Sequence, residues 1–143
     1  MSLIVLDASV AVLWAVPNSS SQLTAAALRW LDRYVNREVE FIVPDLFWAE
    51  IGNALCKGAQ QKRWRREDAE DGVRDLTDYN FDTVPSLLLI GEALPIALKS
   101  GISLYDCLYV SLARQAKCDL ITADERLANA LATRFPVKWL GAY

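Results

Sequence analysis

Four acidic residues fall where an acid does little for a core: Asp7 directly after the apolar run "LIVL", Glu50 inside "FWAEIGNAL", Asp106 in "SLYDCLYV", and Asp124 just beyond "DLIT". No histidine occurs among the 143 residues. That removes Ser-His-Asp and Cys-His nucleophile systems, imidazole acid-base catalysis and most zinc or iron sites. Any chemistry then rests on carboxylates, and carboxylates brought together repel and retain protons unless a cation compensates them. Mg2+ or Mn2+ suits such oxygen donors, keeps several waters and takes up phosphate oxygens. A bound ion of this kind polarises a phosphoryl oxygen and acidifies a water, which makes a phosphodiester the natural substrate.

Each acid also has an ordinary structural explanation. Asp106 with Ser103 fits an S-x-x-D capping box, Asp124 fits an N-cap for "ERLANAL", and Asp7 fits the start of an Asx turn. Glu50 has the weakest alternative. Phe47, Trp48, Ile51, Ala54 and Leu55 surround it, while Asn53 and Lys57 follow on its own side at helical spacing. Ser9 and Thr122 each lie two residues from an acid, placed either to orient a carboxylate or metal-bound water or to make a local hydrogen bond. Glu125 reads as an exposed first-turn acid and Asp45 as a helix cap.

Positioning these acids falls to an alternation of strands and helices. "SLIVLD", "EFIVP", "FDTVP", "DLIT" and "VKWL" read as short strands, the first buried on both faces and the third at an edge. Between them, "SVAVLWAV" reads as a helix capped by Ser9, and "LTAAALRWLDRYVNR" as an amphipathic helix burying Leu23, Ala27, Trp30, Leu31, Tyr34 and Val35. The polar loop "PNSSSQ" separates the two. "DLFWAEIGNALCKGAQQKR" and the more polar "WRREDAEDGVRDLTDY" follow as helices. "SLLLIGEALPIALKSG" is expected to bend at Pro95 and end at a left-handed Gly101. "SLYDCLYVSLARQAK" carries the clearest stripe, Leu104, Leu108, Leu112 and Ala116, and "ADERLANALATRF" is the last helix. The pattern predicts one α/β domain over residues 1–143, a mostly parallel twisted sheet between helical layers, α/β/α. In such a sheet strand C-termini and helix N-termini share an edge, so the four acids converge there.

Composition narrows the function further. At 53% hydrophobic and 23% charged the chain has apolar material for a real core, and its net charge of −3 argues against a general cationic coat for nucleic acid. A local basic rim stays open. The apolar run "SLLLIGEALPIAL" is interrupted by Glu92 and Pro95, and "MSLIVLD" lacks a signal peptide's basic start, so a soluble cytoplasmic protein without membrane association is expected. The three cysteines, Cys56, Cys107 and Cys118, sit among apolar residues without a C-x-x-C pair and are expected as buried free thiols.

Taken together, "LIVLDASV", "PDLFWAEIGNAL", "GISLYDCLYVSLA" and "LITADERL" resemble the motifs of PIN-domain ribonucleases, in particular VapC-type toxins of toxin-antitoxin pairs. The resemblance covers essentially the whole chain, with four individually weak motifs in the right order. It implies a PIN-like fold and places an acidic quartet on Asp7, Glu50, Asp106 and Asp124, assisted by Ser9, Asn53 and Thr122. It also implies Mg2+- or Mn2+-dependent cleavage of RNA to a 5′-phosphate and a 3′-hydroxyl, with all four acids as metal ligands or Glu50 orienting the attacking water. The partners implied are a second copy of the chain, as a homodimer, and a small VapB-like antitoxin.

Two other classes compete. An aspartyl-phosphate phosphatase needs a D-x-D start, and Asp7-Ala8-Ser9 lacks the second acid. A non-catalytic receiver-like module would use an acidic Mg2+ pocket and a late lysine, for which Lys138 is the candidate, but leaves Glu50 unexplained. Finally, "KRWRR", Lys62 to Arg66, sets four cations around an aromatic. It is able to contact phosphates and stack on a base, to meet a protein partner, or to be only an exposed turn.

Overall fold

All five short apolar runs become strands of one sheet: β1 (Ser2–Leu6), β2 (Val39–Pro44), β3 (Asp82–Val84), β4 (Asp119–Thr122) and β5 (Val137–Trp139). Every pairing is parallel and the order is β3-β2-β1-β4-β5 in the computed structural model, which describes residues 1–17 and 21–143. Residues 18–20 of the expected loop "PNSSSQ" lie outside the described residues. In the central strands Val5, Leu6, Leu120 and Ile121 are fully buried, as strands covered on both faces require.

Among the described residues seven α-helices flank the sheet: α1 (Ala8–Ala15), α2 (Thr24–Val35), α3 (Leu46–Gln60), α4 (Arg66–Asp78), α5 (Ile90–Ser100), α6 (Leu104–Ala116) and α7 (Glu125–Leu131). Helix α6 packs on β1, β2 and β4 and is covered in turn by α5, so Cys107 through Ala113 are buried on every side. Helices α1 and α2 pack on β4 and β2, and α1 also holds α3 and α4. The expected three-layer α/β/α arrangement is the one observed. Among the described residues no single helix is long and apolar enough to cross a membrane.

Strand order decides between two of the competing classes. The chain steps outward from β1 through β2 to β3, then returns through α5 and α6 to lay β4 on the other side of β1. Receiver modules use the order 2-1-3-4-5. The receiver-like alternative is therefore corrected by the topology. The reversal between β1 and β4 opens the crevice in which ligands of open α/β sheets bind.

Several local expectations are revised. Ser9 does not cap α1, because Asp7 occupies the N-cap position and the Ser9 hydroxyl turns back to the Asp7 carboxylate. Asp45 precedes α3 without capping it; its Oδ2 accepts from the Ser86 N–H at 3.1 Å. The helix expected from Ser86 splits into a 3-10 turn, Ser86–Leu88, and α5, which runs through Pro95 to Gly101 at φ 74°. Val35, the last residue of α2, projects into solvent, outside its helix's buried stripe. Of the cysteines only Cys107 is buried; Cys118 is half-buried and Cys56 is exposed.

Candidate active site

Asp7 follows β1 and is 7% exposed, which for a carboxylate demands partners. It finds two hydroxyls. Ser9 Oγ donates to Asp7 Oδ2 at 2.8 Å and Thr122 Oγ1 donates to the same oxygen at 2.6 Å, so Oδ1 is left without a hydroxyl donor. Each hydroxyl also accepts a backbone N–H, Ser9 from Ala123 and Thr122 from Asp124, both at 3.0 Å. The ends of β1 and β4 are thereby laced together around one carboxylate. Burial pushes the Asp7 carboxyl above its ordinary range, the two hydroxyls pull it back, and the nearby Asp106 pushes it up again.

Helix α3 divides its residues by face. Phe47, Ile51 and Leu55 are buried, whereas Glu50, Asn53, Ala54 and Lys57 line the cleft above Asp7. Glu50 Oε1 accepts a 2.7 Å hydrogen bond from the Tyr109 hydroxyl, which rises from the buried middle of α6. Burial raises the proton affinity of Glu50, the Tyr109 bond lowers it, and the charges of Asp7 and Asp106 raise it. Burial, reinforced by Asp7 and Glu50, pushes the Tyr109 hydroxyl far above its usual value, so it stays protonated and acts as a donor.

Asp106 lies in the first turn of α6. Only the hydroxyl half of its capping box forms, with Ser103 Oγ accepting from the Asp106 N–H at 3.1 Å. Burial raises the Asp106 carboxyl, Ser103 lowers it, and Asp124 raises it. Asp124 resolves its two readings by being both. Its Oδ1 caps α7, accepting from the N–H groups of Arg126 and Leu127 at 3.0 and 3.2 Å, while Oδ2 has no hydrogen-bond partner among the described residues.

The four acids line one cleft of about 450 Å³, together with Ser9, Asn53, Lys57, Arg63 and Trp64. Thr122 lies behind Asp7, fully buried, and reaches the cleft only through that carboxylate. Glu125 is exposed and is not part of the lining. None of the ion pairs among the described residues involves any of the four acids, so their charge has no protein cation bonded to it. The donor set is oxygen only, partly desolvated and mutually repelling, which fits a hard divalent cation. Among the described residues no three of these side chains close into a ready-made cage.

The PIN domain family model matches residues 4–131. The chain belongs to the PIN domain family. Among curated relatives, Ribonuclease VapC9 of Mycobacterium tuberculosis is 30% identical over 136 residues, covering 94% of this chain and 96% of its own. Ribonuclease VapC3 of Pyrobaculum aerophilum is 28% identical over 128 residues, covering 88% and 92%. Two solved structures share the fold. PAE2754 from Pyrobaculum aerophilum has a TM-score of 0.69 at 19% identity, covering 99% of this chain and 91% of that one. A toxin-antitoxin complex from Klebsiella pneumoniae has a TM-score of 0.58 at 15% identity, covering 96% of both chains.

Within this PIN domain, sequence reading missed Tyr109 and left Lys57, Arg63 and Trp64 outside the site. A signal for Tyr109 existed: it stands three residues after Asp106, on the helix with the clearest apolar stripe, and a buried tyrosine hydroxyl needs a partner. Arg63 and Trp64 come to the cleft through the turn from α3 to α4, whose path no local pattern specifies.

Proposed function

We propose that this PIN domain is an endoribonuclease, the toxin of a type II toxin-antitoxin pair, cutting RNA with Mg2+ or Mn2+ at Asp7, Glu50, Asp106 and Asp124. The observation that carries the reading is that four carboxylates from four separate segments line one cleft without a protein cation bonded to them. Asp7, Asp106 and Asp124 would hold the ion, leaving Glu50 to orient the attacking water. When bound, it supplies Lewis acidity to the phosphoryl oxygen and a water of lowered pKa.

The residues supply the rest. Ser9 and Thr122 fix one oxygen of Asp7 and so orient the carboxylate. The Tyr109 bond engages Glu50 Oε1 and leaves Oε2 to accept a proton from the attacking water. Hydrolysis adds hydroxide to phosphorus and returns a proton to the departing O3′, giving a 5′-phosphate and a 3′-hydroxyl. Asn53, exposed beside Glu50, is placed to donate to the substrate.

Purified protein should cut structured RNA with Mg2+ or Mn2+, stop with EDTA, and lose activity on Asp7→Asn or Asp106→Asn. Unchanged cutting by both variants would end the active-site assignment.

The reading extends to partners. A VapB-like antitoxin is supported by the similarity to the Klebsiella pneumoniae toxin-antitoxin complex. A homodimer is supported by a row of exposed apolar side chains along α5 and the turn before it, including Leu87 at 82% and Leu98 at 76% exposure. The same reading assigns the protein to the cytoplasm, where such RNA is found.

A further inference from the structure

The α3–α4 turn supplies the cleft with its second cation. Helix α3 ends in a Schellman motif, in which the Lys62 N–H donates to Ala59 O at 3.0 Å and the Arg63 N–H to Gly58 O at 2.8 Å. Lys62 takes the left-handed position at φ 59°. Trp64 then folds back over α3: its indole N–H donates to Leu55 O at 3.0 Å, and its ring fills the space a side chain at Gly58 would need. The Arg63 guanidinium lies over the same ring, 5.0 Å from its centroid. The tryptophan is thus engaged by Leu55, Gly58 and Arg63, and is not presented as a platform for a base.

The four cations of "KRWRR" are not equivalent. Arg65 pairs with Asp68 and Arg66 with Glu70, whereas among the described residues no carboxylate lies within ion-pair distance of Lys62 or Arg63. Arg63 is also where two cavities meet. It lines the carboxylate cleft, and it lines an adjoining groove of about 670 Å³ whose other basic residues are Lys62, Arg65 and Arg66. A polyanion leaving the carboxylates by this route meets an unpaired, planar, bidentate donor first.

We propose that Arg63, positioned by Trp64, forms a phosphate subsite that leads an RNA strand from the carboxylate cleft into the Lys62–Arg66 groove. The subsite rests on the ribonuclease reading for the identity of the polymer, but its chemistry is that of phosphate capture. Arg63 touches the substrate. Trp64 acts through it, as a positioning residue.

The test measures binding of a short single-stranded oligoribonucleotide by fluorescence anisotropy, with Mg2+ and in the cleavage-deficient Asp106→Asn background so that the RNA persists. Arg63→Ala should weaken binding about tenfold and flatten the log-log salt dependence by about 0.7, the loss of one phosphate contact on a single strand. Arg63→Lys should recover part of the affinity and all of the salt slope, since it restores the charge without the fork. Trp64→Phe, which removes the bond to Leu55 while leaving every charge, should weaken binding with the salt slope unchanged. Arg134→Ala, in the turn between α7 and β5, should bind as the parent does. In cutting assays with Asp106 intact, Arg63→Ala should raise KM more than it lowers kcat. Unchanged affinity and salt slope in Arg63→Ala overturn the subsite and return the turn to protein contacts. RNA binding that depends on Arg63 in a wild-type protein that fails to cut RNA with any divalent ion would sink the ribonuclease reading and leave the subsite standing. A parent protein that binds no RNA overturns both.

Discussion

The Tyr109 hydroxyl donates a 2.7 Å hydrogen bond to Glu50 Oε1, tying the buried middle of α6 to the cleft face of α3. It is a direct side-chain link between these helices at the site, and it selects which Glu50 oxygen is left for chemistry. Tyr109→Phe removes that oxygen and almost nothing else. Cutting should fall about tenfold, mostly in kcat, because Glu50 loses its orientation and not its charge. Thermal unfolding should show a loss of about 1 kcal/mol, the scale of one hydrogen bond in a folded protein. Wild-type kcat in the variant would make Tyr109 a packing residue only.

Asp124 performs two tasks with two oxygens, and two substitutions separate them. Asparagine caps helices about as well as aspartate, so Asp124→Asn should keep the stability of α7 while lowering metal-dependent cutting by a hundredfold or more. Asp124→Ala should lose the activity and about 1 kcal/mol of stability besides. Equal, substantial activity in both variants would reduce Asp124 to its cap.

What was legible in the sequence followed from rules about edges. Asp7 after an apolar strand, Asp124 after another, and Asp106 at a helix start had to share one rim once the β-α alternation was read as a parallel sheet. Glu50 was legible because its neighbours were apolar and its polar companions Asn53 and Lys57 lay on its own face. Long-range pairings were not. Nothing local says that Ser9 will turn back to Asp7 in place of capping α1, or that Asp45 will bond Ser86, forty-one residues on. Capping and site-building use the same residue types at the same places, so Asp106 and Asp124 stayed ambiguous until their oxygens were seen. The cysteines erred for a related reason: apolar neighbours in sequence flank an exposed helix position as readily as a buried one, as Cys56 does.

The proposed homodimer has its own check. Leu94 and Leu98 stand one turn apart on the exposed side of α5, and two carboxylates there would be forced into any interface that covers the row. Sedimentation should find wild type as a dimer and Leu94→Asp/Leu98→Asp as a folded monomer. A dimer that survives the double substitution would move the contact elsewhere.

The acidic cleft also fixes a sign for the pH dependence of stability. Asp7, Glu50 and Asp106 all hold their protons more tightly than ordinary carboxyls, chiefly because burial penalises their charged forms. Over the interval between their ordinary and their raised pKa values the folded protein binds more protons than the unfolded chain, so stability falls as pH rises. Their contribution is complete below the ordinary carboxylate range and is lost as pH climbs through the raised values. In EDTA the melting temperature should therefore decline as pH rises above the ordinary carboxylate range, against the trend set by salt-bridged carboxylates. Asp7→Asn should flatten that decline, since the amide has no charge to bury and still offers an oxygen to Ser9 and Thr122. Saturating Mg2+ should raise the melting temperature most at the high-pH end of that decline, where the ionised acids it binds are most costly to the free protein. A melting temperature that rises steadily over this range in EDTA, and does not respond to Asp7→Asn, would mean that these three carboxylates are already compensated within the fold.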